Sequence, residues 1–145
     1  MGSTSTSATE RGPVAIVGAG LIGRAWAIVF ARAGHPVRLH DLDLQTMQNS
    51  HAYIEARLNE LAEFDLLNDS PSTVLERIIC VPDLADALRD VVLVQENVRE
   101  TVEAKIDIFS RMDALAPKNA ILASSTSWLP ASEFTEELPG RGRCV

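Results

Sequence analysis

The chain has 145 residues, enough for one domain with a real core, and carries 13 basic against 20 acidic residues for a net charge of −7. That balance excludes the usual electrostatic footprint of nucleic-acid and anionic-membrane binders. Its two cysteines, Cys80 and Cys144, follow no metal or redox spacing and read as free thiols in a reducing, cytoplasmic compartment.

Met1 to Gly12 is rich in serine and threonine, holds no apolar run that a signal peptide needs, and is expected to be a flexible arm. No segment approaches the roughly 18 apolar residues of a membrane span. From Pro13 on, the pattern changes. Val14-Ala15-Ile16-Val17 reads as a buried strand and runs straight into Gly18-Ala19-Gly20-Leu21-Ile22-Gly23 and an apolar helix. Strand, Gly-x-Gly-x-x-Gly turn and helix start form the layout that seats a pyrophosphate. In it Gly18 permits the tight turn, Gly20 lets backbone approach the phosphates, and Gly23 lets the helix pack on the strand. The helix start, with Leu21 and Ile22, offers free N–H groups and a positive dipole end.

Gly34 can end this first helix, and Val37 to His40 reads as a second strand closing on Asp41. An acidic residue about 20 positions past the glycines is where a Rossmann unit hydrogen-bonds the adenosine ribose. Asp41 would repel a 2′-phosphate, and no arginine follows at Leu42 or Asp43, so NAD and not NADP is the expected cofactor. Asp43 fits an N-cap.

Apolar positions from Leu44 to Leu67 recur at helical spacing, which predicts a long amphipathic helix broken by Asn68 to Pro71. A short helix over Ser72 to Arg77 and a third strand at Ile78 to Val81 follow. Asp83 can cap a helix from Leu84 to Arg89. Val91 to Val94 predicts a strand buried on both faces, stopping at Gln95-Glu96-Asn97. A helix over Thr101 to Ala116 leads to a fifth strand, Ala120 to Ala123, which ends in Ser124-Ser125-Thr126-Ser127. A short helix is predicted near Ser132 to Glu137, and Arg143 to Val145 reads as the opening of a sixth strand. The expected fold is α/β, a Rossmann-type doubly wound, mainly parallel sheet with helices on both faces. Polar strand ends at Gly18, Glu96 and Ser124 then share one edge, the ligand edge of such a sheet.

Three segments carry a resemblance to the NAD-binding domain of the L-3-hydroxyacyl-CoA dehydrogenase family, on its lambda-crystallin and L-gulonate 3-dehydrogenase branch. They are Val14 to Ala27, Gln95 to Glu100 followed by Lys105 to Phe109, and Ile121 to Ser127. The resemblance covers nearly everything from Pro13 onward. It implies that Gly18, Gly20, Leu21, Ile22, Gly23 and Asp41 hold the adenosine diphosphate and that Glu96 lies on the cofactor side. It also implies Ser125 at the nicotinamide ribose and Ser127 as the catalytic serine that hydrogen-bonds the substrate's 3-hydroxyl. The family carries a lysine five residues beyond its glutamate, a position held here by Thr101. Its histidine base and its C-terminal helical domain, which completes the substrate site and dimerises, find no counterpart in the 145 residues. The implied activity is hydride transfer between NAD and a 3-hydroxy acid or 3-hydroxyacyl-CoA, with a non-catalytic NAD-binding module as the alternative.

Plainer readings stand beside these. Taken alone, Ser124 to Ser127 reads as a Ser/Thr-rich turn and Glu96 as a solvated loop carboxylate. His35, His40 and His51 have no neighbouring ligand partners and read as surface or packing residues. Trp26 and Trp128 read as packing residues.

Overall fold

The computed structural model describes residues 11–145. The proposed arm therefore falls outside the described residues except for Arg11 and Gly12. Gly12 is packed: a Cβ there would lie 2.3 Å from Val92, and its carbonyl accepts a hydrogen bond from His35 Nδ1 at 2.8 Å.

Eleven regular elements follow: β1 (Val14–Val17), α1 (Leu21–Arg32), β2 (Val37–His40), α2 (Leu44–Glu63), α3 (Pro71–Leu75), β3 (Ile78–Cys80), α4 (Leu84–Ala87), β4 (Leu93–Glu96), α5 (Val102–Leu115), β5 (Ile121–Ser124) and α6 (Ser132–Thr135). The strands form a parallel sheet in the order β3-β2-β1-β4-β5, that of a doubly wound fold whose strand order reverses beside β1. All four residues of β1 are buried, and they alternate between two cores. Val14 and Ile16 face a cluster with Ala27, Ile28, Met47, Ile54 and Leu58 from α1 and α2. Ala15 and Val17 face Leu88, Phe109, Met112 and Phe134 on the side of α4, α5 and α6. Helices thus cover both faces.

Local chemistry sets most boundaries. Asp43, Ser70, Asp83 and Thr101 each accept a backbone N–H as N-caps of α2, α3, α4 and α5. The long helix stops at Glu63, short of the expected Leu67, because Asp65 turns left-handed (φ 55°) and the Leu66 N–H closes back on the Leu61 carbonyl at 2.9 Å. The fourth strand sits two residues later than expected. Pairing with β1 aligns Val14 with Leu93 and Val17 with Glu96, so Val91 and Val92 precede the strand, and Gln95 and Glu96 belong to it.

Beyond α6 a 3-10 turn, Arg141–Arg143, leads to a parallel bridge between Leu122 and Cys144 beside β5, where the sixth strand was expected to open. Asp113 on α5 anchors this turn. It accepts from Arg143 Nη2 at 2.8 Å and from the Gly140 N–H at 3.1 Å, while Arg143 also donates to the Ala120 carbonyl at 3.3 Å and to that of Pro117. Burial raises the Asp113 pKa, but the Arg143 hydrogen bond, the Gly140 N–H and the charges of Arg143 and Lys118 outweigh it and hold the carboxyl below its ordinary value. Removing one partner of such a pair strands the other charge. Arg143→Ala is expected to lower stability by about 3 kcal/mol, read as a lower urea midpoint, and an unchanged midpoint would contradict the anchoring.

Candidate functional site

The carboxyl ends of β2, β1, β4 and β5 are stitched together by short hydrogen bonds. Gly18 (φ 96°) donates its N–H to the His40 carbonyl at 2.8 Å, the Asn97 N–H reaches Val17, and the Ser125 N–H reaches Glu96. The three turn glycines occupy different surroundings. A Cβ on Gly23 would lie 1.8 Å from the Gly18 carbonyl oxygen, whereas one on Gly20 would meet nothing within 4 Å. Gly23 is therefore the contact that seats α1 under the turn, and Gly20 faces open space. Helix α1, unlike α2 through α5, opens without a side-chain cap, and Leu21 and Ile22 stand exposed at its head.

Beside the turn lies a crevice of about 500 Å³, within the usual size of small-molecule sites. Gly18, Gly20, His40, Asp41 and Leu42 form one wall, and Val98, Arg99, Ala104, Asp107, Ile108 and Arg111 form the other. Asp41 Oδ2 accepts the Ala19 N–H at 2.8 Å and Oδ1 the Asp43 N–H at 2.9 Å, so its carboxylate is fixed at the mouth of β2. Leu21 and Ile22 instead line a neighbouring apolar groove of about 410 Å³ between α1 and α2.

The structure corrects the reading of Glu96. It is fully buried and faces away from the crevice. Its carboxylate accepts from Lys105 Nζ at 2.9 and 3.0 Å, from the Val98 N–H at 2.6 Å and from Ser124 Oγ at 2.5 Å. An ion pair this buried needs such extra donors to offset desolvation; it braces the ends of β4 and β5 and the start of α5. Ser125, expected at the nicotinamide ribose, has its hydroxyl already engaged. Trp26 Nε1 and Gln95 Nε2 donate to it at 3.0 and 2.8 Å, and it donates to Asn97 Oδ1 at 2.6 Å. Trp26 is thereby a polar partner as well as a packing residue, stacked on Phe30.

The residue that sequence reading missed is Glu100. Its Oε1 accepts the Trp128 N–H and the Thr126 hydroxyl, both at 2.9 Å, and the Ser127 N–H. Glu100 therefore fixes the backbone of Ser127, whose side chain is exposed. A signal was present. Glu100 stands five residues before Lys105, the spacing that the resemblance assigns to a glutamate and its lysine, whereas Glu96 stands five residues before Thr101.

An all-parallel sheet wound both ways, with a glycine turn, an uncapped helix and a fixed carboxylate around one crevice, defines a dinucleotide-binding domain. The comparisons narrow the class. The family described as "3-hydroxyacyl-CoA dehydrogenase, NAD binding domain" matches residues 13–145, and the chain belongs to it. A lambda-crystallin homolog of Homo sapiens is 33% identical over 96% of this chain and 44% of its own length. A probable 3-hydroxybutyryl-CoA dehydrogenase of Deinococcus radiodurans is 36% identical over 79% and 41%. The crystal structure of 3-hydroxybutyryl-CoA dehydrogenase from Escherichia coli K12 superposes with a TM-score of 0.85 at 27% identity, over 92% of this chain and 28% of that one. The chain spans less than half the length of these relatives. NAD is the family's cofactor, and the open face of Gly20, the uncapped α1 and the Asp41 carboxylate are donors and acceptors of the kinds it requires.

The Trp128 N–H foremost, with those of Ser127 and Leu129 and the Thr126 hydroxyl, pulls the Glu100 carboxyl down from 4.5 to about 2 against desolvation. A depressed carboxyl stabilises the fold fully above its unfolded value, and that contribution is lost as pH falls toward the folded one. The urea midpoint of the native chain should therefore fall between pH 4.5 and 2.5 more steeply than that of Glu100→Gln, and parallel pH profiles would remove Glu100 from this role.

Proposed function

We propose that this domain serves an NAD-dependent oxidoreductase acting on a 3-hydroxy acid or 3-hydroxyacyl-CoA, in fatty-acid or hydroxy-acid metabolism. The observation that carries the reading is the crevice itself, with Asp41 held opposite the uncapped start of α1. In this reading the free N–H groups from Gly20 to Gly23 bind the pyrophosphate, and Asp41 accepts hydrogen bonds from the adenosine ribose. Leu21 and Ile22 flank the pyrophosphate. Ser125 stands near the nicotinamide ribose as part of a preset hydroxyl network. Ser127, steadied by Glu100, hydrogen-bonds the 3-hydroxyl of the substrate. Bound NAD supplies the hydride acceptor.

Hydroxyl oxidation also needs a base. His35 is tied to Gly12, His40 sits in β2 and His51 on α2, so no histidine neighbours Ser127. The base then comes from outside these residues, as does a helical domain that completes the substrate site and forms a homodimer. That division makes 13–145 the cofactor domain. A second reading, an NAD-binding module without turnover, is favoured for the 145-residue polypeptide alone by this placement of the histidines. Free Cys80 and Cys144 support a cytoplasmic setting, and no helix among the described residues is long and apolar enough to cross a membrane.

Calorimetry of the 145-residue chain should show NAD bound in preference to NADP. Losing a carboxylate with two charge-assisted bonds in Asp41→Ala should weaken NAD about tenfold to a hundredfold, and adding Leu42→Arg should move preference toward NADP. Equal native affinity for the two cofactors would remove the argument from Asp41. The same chain should show no oxidation of 3-hydroxybutyryl-CoA above background, and robust turnover would show that it contains its own base.

A further inference from the structure

The sequence left His40 without a task, yet its ring stands at the foot of the crevice. It is the last residue of β2, next to Asp41, and lies 2% exposed. Its Nδ1 meets the Val81 carbonyl at 3.0 Å. A carbonyl oxygen only accepts, so Nδ1 carries the hydrogen, and in the neutral ring Nε2 keeps a lone pair. Among the described residues Nε2 has no hydrogen-bond partner, and no buried side-chain nitrogen or oxygen among them is sealed off without one. Nε2 therefore opens onto the crevice that His40 lines. An acceptor that opens into a ligand site and loses its water when the site fills asks for a donor.

The crevice indicates which donor. Leu42 and the apolar side chains of Val98, Ala104 and Ile108 line the same crevice as Asp41 and His40, so a ribose held at Asp41 would have room there for its base. Resting on the reading of this crevice as the adenosine site, we propose that His40 selects the base of the dinucleotide, its Nε2 accepting a hydrogen bond from the 6-amino group of adenine. Hypoxanthine presents a carbonyl oxygen at that position, which sets two acceptors against each other and leaves the buried nitrogen unpaired. Sites built to bond a polar group reject analogues lacking it far better than apolar pockets do. Asp107 also lines the crevice, but its side chain is 72% exposed and its Oδ2 lies 3.8 Å from Arg111, so water competes for it and its selectivity is weak.

Titration calorimetry of the 145-residue chain with NAD and with nicotinamide hypoxanthine dinucleotide tests this. NAD should bind about tenfold tighter. In His40→Asn, whose amide can still donate toward Val81 but has nothing at the Nε2 position, the two should bind alike at the weaker affinity. Should that variant fail to fold, ring ¹⁵N spectra of the native chain give a second reading. The His40 Nε2 signal should move with NAD and not with the hypoxanthine dinucleotide, and equal movement with both would overturn the assignment. Equal native affinities would also overturn it while leaving the crevice assignment standing. So would loss of the preference in Asp107→Asn with retention in His40→Asn. Binding of neither dinucleotide would defeat the adenosine-site reading, and this one with it.

Discussion

Everything at the ligand edge depends on how closely α1 approaches the end of β1. The absent side chain of Gly23 leaves room for the Gly18 carbonyl, where a Cβ would lie at 1.8 Å. This contact fixes the angle at which α1 leaves the sheet, and hence where its unpaired N–H groups point. Because the Gly18 N–H is bonded to β2 and the Ala19 N–H to Asp41, the turn is locked from the neighbouring strand as well. A crevice wall formed by backbone needs such support, since it has no side chains of its own to pack.

Carboxylates do much of the remaining bracing. Asp41 holds the glycine turn, Glu96 joins β4 to β5 and α5, Glu100 holds the Ser127 loop and Asp113 anchors the turn before Cys144. Each accepts backbone N–H groups as well as whatever cation it meets. Part of the acidic composition therefore serves architecture: Glu96 and Asp113 are buried acceptors, and Asp41 and Glu100 half-buried ones, that close loops where a count of surface charge sees only solubility. Glu96, the last residue of β4, and Glu100, in the loop that follows, lie four residues apart and brace different places, one inside the core and one at the rim.

The parts of the fold legible in the sequence are those whose physics is local. The strand and glycine turn from Val14 to Gly23 announce themselves because three glycines have three separate steric reasons, and the caps at Asp43 and Asp83 are one-residue signals. The end of β4 was not legible. Val91 to Val94 is an unbroken apolar run, and such a run does not say which residue pairs with Val14; the register with β1 decides, and it moves Glu96 from a presumed loop into the buried strand. Glu100 read as one more loop charge because its partners, the N–H groups of Ser127 and Trp128, are remote in sequence. His40 read as packing for a similar reason, since the carbonyl that fixes its ring belongs to Val81, beyond the neighbouring strand.

The strand order has a consequence for a chain emerging from the ribosome. β2 follows β1 closely in the chain, but the other edge of β1, Val14 to Val17, is covered only when Leu93 to Glu96 arrives, after α2, α3, β3 and α4 have been made. Until then a wholly apolar strand, buried at all four positions in the finished fold, offers a bare hydrogen-bonding edge to any other nascent copy. Crowded synthesis, rather than the finished structure, is the stage at which this domain is most exposed to aggregation.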